Sequence, residues 1–359
     1  MGSPGDWIRA VVRAVPPYTP GEQPAPGRRV IKLNTNENPY PPSPAVLQAL
    51  HEAIDARVRL YPDPEAVALR TEASRLYGVP VDAIMAGNGS DELLALLLRA
   101  LIDPGDRVAF PVPTYSLYET LVAVQGGVVV DVPWPVDWSL PPELATSGAK
   151  LTFLCNPNSP SGTLVPLARI EDLATRLAGV LVVDEAYVDF APTNALGLVG
   201  RHPNVVVLRT LSKSYSLAGL RVGLAFGPPE ILRGLRTVKD SYNLNRLSQA
   251  AATAALRDQP SVQATVERVT RSRARLVASL RSLGWAVPES YANFVLARRP
   301  GVDQAPLVRA LAEQDILVRH FTSHGLGDAL RITVGTDEEI DVLLAAMRAF
   351  ATKAALPSR

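Results

Sequence analysis

Cysteine is nearly missing from this 359-residue chain, and a single Cys155 excludes an intramolecular disulfide framework and a Cys-rich zinc site. Nothing then obliges the chain to leave a reducing compartment. A surplus of one charge sign is missing as well: 36 basic residues face 35 acidic ones, for a net charge of +1. No general electrostatic pull toward nucleic acid or an anionic membrane follows. Long apolar runs are lacking. Stretches such as Leu93–Leu98 fall far short of the ~20 residues that cross a bilayer. No apolar run follows a basic start, so no signal peptide is expected. His320 and His324 stand four apart without a carboxylate or Cys companion, and no metal site is expected from them. Arg268, Arg271, Arg273, Arg275 and Arg281 lack interleaved aromatics and are balanced by acids elsewhere, so they read as a solvated helix face. The expectation is a soluble cytoplasmic protein with no nucleic-acid or membrane partner.

What is present is ordinary globular material, 47% hydrophobic and 20% charged. The length suggests two domains on a soft prior of ~150 residues each, with room for a sizeable core. Residues 1–45 are rich in proline (Pro16, Pro17, Pro20, Pro24, Pro26, Pro39, Pro41, Pro42, Pro44) and predict an extended arm without regular helix that lies on another surface. Over 46–250 helical patterns at Val46–Ile54, Glu65–Tyr77, Leu93–Ile102 and Ile170–Leu177 alternate with seven short apolar runs. Those runs are Ala83–Ala86, Arg107–Phe110, Val128–Val132, Leu151–Cys155, Val180–Val183, Val205–Arg209 and Arg221–Phe226. Continuous apolar strands suit a sheet covered on both faces, and the alternation predicts an α/β fold with a mostly parallel sheet. Residues 251–359 change texture. A long Arg-rich helix at Val262–Leu283 precedes strands at Asn293–Ala297, Ile316–His320 and Leu330–Val334, with helices at Ala305–Gln314 and Asp337–Ala351. That is a smaller α+β domain.

Ligands of open α/β sheets bind beyond the carboxyl ends of the strands. After the first strand comes Gly87-Asn88-Gly89-Ser90-Asp91, which is either a phosphate cradle at a helix start or a plain turn capped by Ser90 or Asp91. The third glycine of a dinucleotide fingerprint is missing. After Val180–Val183 comes Asp184, which either partners a protonated ring nitrogen or a metal, or caps the next element. After Val205–Arg209 comes Lys213 among hydroxyls, an amine nucleophile if desolvated and a solvated loop lysine if not. The upstream glycines of a nucleotide-binding loop are absent, which disfavours a kinase. Arg221 follows and suits a phosphate. Together these supply an aldehyde trap, a ring-nitrogen partner and a phosphate site, the set that pyridoxal phosphate requires.

Asn34–Pro39 (NTNENP), Gly87–Glu92 (GNGSDE), Asn156–Gly162 (NPNSPSG), Asp184–Tyr187 (DEAY) and Thr210–Gly223 (TLSKSYSLAGLRVG) occur in this order. They resemble the pyridoxal-phosphate-dependent aminotransferases of fold type I, most of all the histidinol-phosphate aminotransferases. The resemblance runs from Tyr18 to Leu330–Gly335 (LRITVG). It implies a three-layer α/β/α large domain with a seven-stranded, mostly parallel sheet, as in aspartate aminotransferase. It also implies a small domain built from both chain ends, and a homodimer with active sites at the interface. It assigns Lys213 to the covalent hold on the cofactor and to proton transfer, Asp184 to the pyridine nitrogen, and Tyr187 to the phenolic oxygen. Tyr115 would stack on the ring. Gly89, Ser90, Asp91, Thr210, Ser212 and Arg221 would hold the phosphate, with Tyr61 reaching it from the partner subunit. Ser159 stands where the family has asparagine facing the phenolic oxygen; its hydroxyl can still donate there with a shorter reach, and Asn158 is the alternative donor. Arg331 and Arg319 would bind the substrate anion, Tyr18 would close over it, and Asn36 and Glu37 would line its pocket. The implied reaction is L-histidinol phosphate with 2-oxoglutarate, giving imidazole acetol phosphate and L-glutamate. The alternatives are an aminotransferase for aromatic or other amino acids, or a relative of phosphothreonine decarboxylase.

Overall fold

The computed structural model describes residues 4–15, 20–25 and 27–354. Its strands are β1 (Ile31–Leu33), β2 (Ile84–Gly87), β3 (Arg107–Val112), β4 (Val128–Pro133), β5 (Leu151–Cys155), β6 (Val180–Asp184), β7 (Val205–Thr210), β8 (Gly223–Phe226), β9 (Phe294–Arg298), β10 (Ile316–His320) and β11 (Ala329–Thr333). Its helices are α1 (Ala10–Ala14), α2 (Pro44–Ala53), α3 (Val67–Tyr77), α4 (Ser90–Leu101), α5 (Leu117–Gln125), α6 (Leu167–Arg176), α7 (Pro229–Val238), α8 (Arg246–Arg257), α9 (Gln259–Ser282), α10 (Ala305–Ala312) and α11 (Asp337–Ala354).

Seven strands form one sheet in the order β2-β8-β7-β6-β5-β3-β4, with only β8 running against its neighbours. Every residue of β7 is buried, and its side chains alternate between two cores. Val206 and Leu208 join one core with Leu93 and Leu97 of α4 and Leu232 of α7. Val205 and Val207 join the other with Leu69 of α3, Ile170 of α6 and Ala251 of α8. A strand covered on both faces loses its period-two signal, which is why it reads as a continuous apolar run. The result is the three-layer α/β/α arrangement.

The second sheet has the order β1-β10-β11-β9. It joins the two ends of the chain: β1 lies parallel to β10, with Ile31 against Ile316 and Leu33 against Val318. Two expectations need correction. The Pro-rich arm does contain helix, because α1 fits into a stretch that lacks proline between Pro4 and Pro16. The Arg-rich face of α9 is not uniformly solvated, because Arg273 is buried and donates to the Ala292 carbonyl at 2.7 Å. Among the described residues, no helix is long and apolar enough to cross a membrane.

Candidate active site

Strand direction gathers the reactive residues on one rim. β2 ends at Gly87, level with Gly223 at the start of β8, which is level with Thr210 at the end of β7. Two residues back along β7, Leu208 pairs with Asp184 at the end of β6, which pairs in turn with Cys155. Beyond this rim lies a cavity of about 370 Å³. It is lined by Ser90, Asp91, Tyr115, Ser159, Asp184, Tyr187, Thr210, Ser212, Lys213 and Arg221 from the large sheet's side. Asn36, Glu37, Arg319 and Arg331 line it from the smaller sheet's side.

One end is built to take an anion. Gly89 takes φ +83° ahead of α4, and a Cβ there would sit 2.6 Å from Arg221 Nη2. A Cβ at Gly223 would sit 2.6 Å from the Ser90 nitrogen. Two missing side chains thus let the first turn of α4, with its outward N–H groups, close onto Arg221. Gly89 itself does not line the cavity; it makes the room. Arg221 holds a left-handed backbone, φ +52°, which costs a non-glycine residue of order 1 kcal/mol and signals a fixed placement. Its guanidinium contacts Asp91 at 3.0 Å and Ser212 Oγ at 3.4 Å. Thr210 Oγ1 lies 3.0 Å from the same hydroxyl. Asp91 also accepts from Tyr115 Oη at 3.1 Å, so its carboxylate anchors Arg221 and Tyr115 and is not itself placed to attract an anion.

Asp184 is 2% exposed and accepts from Tyr118 Oη at 2.6 Å and from the Ala186 N–H at 3.2 Å. Burial pushes its carboxyl up to about 6, against the opposing pull of the Tyr118 hydrogen bond. Lys213 Nζ donates to the Thr35 carbonyl at 3.3 Å and lies 5.9 Å from the centre of the Tyr187 ring. Burial, then the nearby Arg331 charge, bring its amine down to about 8. Tyr187 Oη accepts from Asn36 Nδ2 at 3.1 Å, and burial raises its hydroxyl to about 12. Near neutral pH the site therefore holds a buried carboxylate and a protonated phenol, beside an amine that gives up its proton around pH 8.

At the other end Arg331 donates to the Asn34 carbonyl at 3.0 Å and to Ser159 Oγ at 3.2 Å, with Phe294 and Phe321 against its guanidinium. Arg319 donates to the Pro20 carbonyl at 3.2 Å and also approaches Phe321. Glu37 is tied to Lys32 and Thr35. Ser159 thus serves Arg331, where the sequence put it on the cofactor. Asn158 is not at the site: its side chain donates to the Pro113 carbonyl and Ser161 Oγ and accepts from Thr114, which occupies it in joining two loops. Tyr61 is 79% exposed and stacks on Tyr242 at 4.2 Å between ring centres, away from this chain's cavity. Tyr18 lies outside the described residues. Sequence reasoning missed Thr35, Tyr118, Cys155 and Phe321. Tyr118 alone carried a signal, standing three residues beyond Tyr115.

A rim of this kind is shared with enzymes that move amino groups, and the family model described as "Aminotransferase class I and II" matches residues 28–347. The chain belongs to that family. Among its curated relatives, histidinol-phosphate aminotransferase 1 of Nostoc sp. (strain PCC 7120) is 47% identical over 344 residues, 96% of this chain and 98% of the relative. Histidinol-phosphate aminotransferase of Syntrophotalea carbinolica is 48% identical over 92% of this chain and 95% of its own length. A crystal structure of histidinol-phosphate aminotransferase from Sinorhizobium meliloti in complex with pyridoxal-5'-phosphate matches with a TM-score of 0.85 and 31% identity, over 92% of this chain and 93% of that one. The resemblance read from the motifs and the fold class it implied are both borne out.

Proposed function

We propose that the chain transfers the amino group of L-histidinol phosphate to 2-oxoglutarate, using pyridoxal phosphate held on Lys213. The observation that carries this reading is one cavity lined by a deprotonatable amine and by guanidinium groups from both sheets, Arg221 and Arg331. The names of the relatives that span nearly the whole chain support the substrate.

The residues present fit the cofactor: two absent Cβ atoms open the anion cradle, and the buried Asp184 carboxylate has no cationic partner at hydrogen-bond distance among the described residues. Pyridoxal phosphate supplies an aldehyde that exchanges between amines and a ring that takes up the electrons left on an amine's α carbon. Ser90, Thr210, Ser212, Arg221 and the first N–H groups of α4 would hold its phosphate, and Tyr115 would cover its ring. Asp184 would meet the ring nitrogen and keep a proton on it, regaining the ionised form that burial disfavours. Tyr187, protonated through the working pH range, would donate to the phenolic oxygen. Lys213 Nζ, neutral above about pH 8, would take the proton from the substrate's α carbon and hold it for return. Arg331, with Arg319, binds the phosphate of one substrate and the carboxylate of the other; both are anions, so one site serves both half-reactions. The exposed Tyr61 suits a homodimer in which each subunit completes its partner's phosphate site. A cytoplasmic location suits this metabolic role.

The test is a panel of amino donors read as kcat/KM. Histidinol phosphate should exceed phenylalanine and aspartate by about tenfold or more. A preference of that size for phenylalanine would replace the substrate reading by the aromatic alternative.

A further inference from the structure

Tyr187 has one proton, and its use depends on which way the Asn36 amide faces. With Nδ2 toward the phenol, Tyr187 Oη accepts and its own O–H is left for the cavity. With Oδ1 toward the phenol, that proton is consumed inside the protein. The structure contains a device that chooses between the two.

Asn36 adopts a left-handed backbone, φ +58°, and is 1% exposed. All of its polar groups are engaged. Its N–H donates to Thr333 Oγ1 at 3.0 Å, and the Thr333 hydroxyl donates back to Asn36 Oδ1 at 3.0 Å. Asn293 Nδ2 donates to the Asn36 carbonyl at 3.0 Å. The remaining group, Nδ2, donates to Tyr187 Oη at 3.1 Å. Thr333 is the last residue of β11 and Asn293 immediately precedes β9, so the small sheet clamps Asn36 while Asn36 reaches into the other half of the site. Thr333 is itself 1% exposed and does not line the cavity, so it cannot act by touching substrate.

We infer that Thr333 is a positioning residue for the transamination: its hydroxyl fixes the Asn36 amide with Nδ2 toward Tyr187, which turns the Tyr187 O–H outward as a donor to the bound cofactor. The inference rests on the cofactor placement proposed above. Its physical content is polarisation in series, because a phenol that accepts a hydrogen bond is the stronger donor. The groups around Tyr187 that also bear on it are Arg331, Asp184, Lys213 and the Cys155 thiol.

The readout is the pH at which protein-bound pyridoxal phosphate changes its visible absorbance, measured with no substrate present. A donor to the phenolic oxygen favours the unprotonated chromophore, so weakening Tyr187 should move the transition up. Thr333→Val, which keeps the shape and removes the hydroxyl, should raise it by about half a unit, a threefold change in the proton equilibrium. Thr333→Ser should restore the wild-type value. In a Tyr187→Phe background Thr333→Val should add nothing, the mark of action through that phenol. Should Thr333→Val fail to fold, Asn36→Gly tolerates the positive φ and removes the amide's hydrogen bonds to both Thr333 and Tyr187, and should raise the transition by a smaller amount, since no amide then takes up the Tyr187 proton. An unshifted transition in these variants, or a Thr333→Val shift that persists without the Tyr187 hydroxyl, overturns the inference while leaving the transaminase reading intact. A wild-type protein that takes up no pyridoxal phosphate would instead remove the reading beneath it.

Discussion

The two halves of the cavity are built differently. The half with Lys213, Asp184 and Arg221 stands on the ends of adjacent strands in the large sheet, whose registers place the residues directly. The half with Arg319, Arg331 and Asn36 is assembled from the two ends of the chain through the parallel pairing of β1 with β10. Its arginines reach across to loop carbonyls, Pro20 and Asn34. Strand ends at the buried centre of a sheet fix atoms to the precision that proton transfer needs. Loops and long arginines suit a region proposed to accept two different anions in turn. Rate should therefore reside in the first half and substrate affinity in the second.

The largest expected effect is that of Lys213→Ala, which removes the amine proposed both to hold the cofactor and to move the proton. Activity should fall by at least about 10³-fold, and borohydride should no longer fix cofactor to the protein, as mass spectrometry would detect. Retained fixation would show that the reactive half has been misplaced.

Asp184 tests the same half through stability. An unfolded aspartate titrates near 3.9, and here burial puts the carboxyl at about 6. The folded cofactor-free protein therefore holds the proton more tightly. Below about pH 4 the side chain costs nothing; the penalty grows as pH rises to about 6 and is then complete, of order 3 kcal/mol. Asp184→Asn should melt progressively higher than the cofactor-free wild type from pH 4 to pH 6, with a constant gap above, while its affinity for pyridoxal phosphate falls. A gap independent of pH would mean that Asp184 ionises without penalty, and that its buried place is no preparation for a cation.

In the other half, Arg331→Lys keeps the charge but loses the fork that holds Asn34 and Ser159. KM for both substrates should rise about tenfold with kcat within a few-fold, and cofactor absorbance should be unchanged. A fall in kcat alone would erase the division between the halves.

That division also marks what was legible in the sequence. The strands of the large sheet were readable because burial on both faces leaves unbroken apolar runs, as in Leu151–Cys155 and Val205–Thr210. The chemistry at their ends could be proposed from residue types alone. Helix α8 was not seen, since its buried face is made mostly of small residues such as Ala251, Ala252 and Ala255 rather than large apolar ones. Strand β1 was not seen either: three residues in a Pro-rich flank carry no period, and what makes them a strand is β10, at the far end of the chain. The clamp on Asn36 was hidden for the same reason, because Thr333 and Asn293 reach it only after the small sheet has closed. Asn158 and Ser159 show the limit of local motifs: adjacent in one loop, they face a packed interior and the cavity respectively, and only the fold decides which.

Ser159 gives the smallest and sharpest test. Its hydroxyl accepts one of the Arg331 hydrogen bonds, and Arg331 keeps the Asn34 carbonyl and its two phenylalanine neighbours without it. Ser159→Ala removes one hydrogen bond to a charged donor, worth about 1 kcal/mol, so KM should rise about fivefold. The transition of the bound cofactor's absorbance should stay where it is. The sequence placed this residue beside the phenolic oxygen, which requires the reverse: a displaced absorbance transition and an unaltered KM. The two placements give opposite results from one variant, and the result assigns the loop to one half of the cavity or the other.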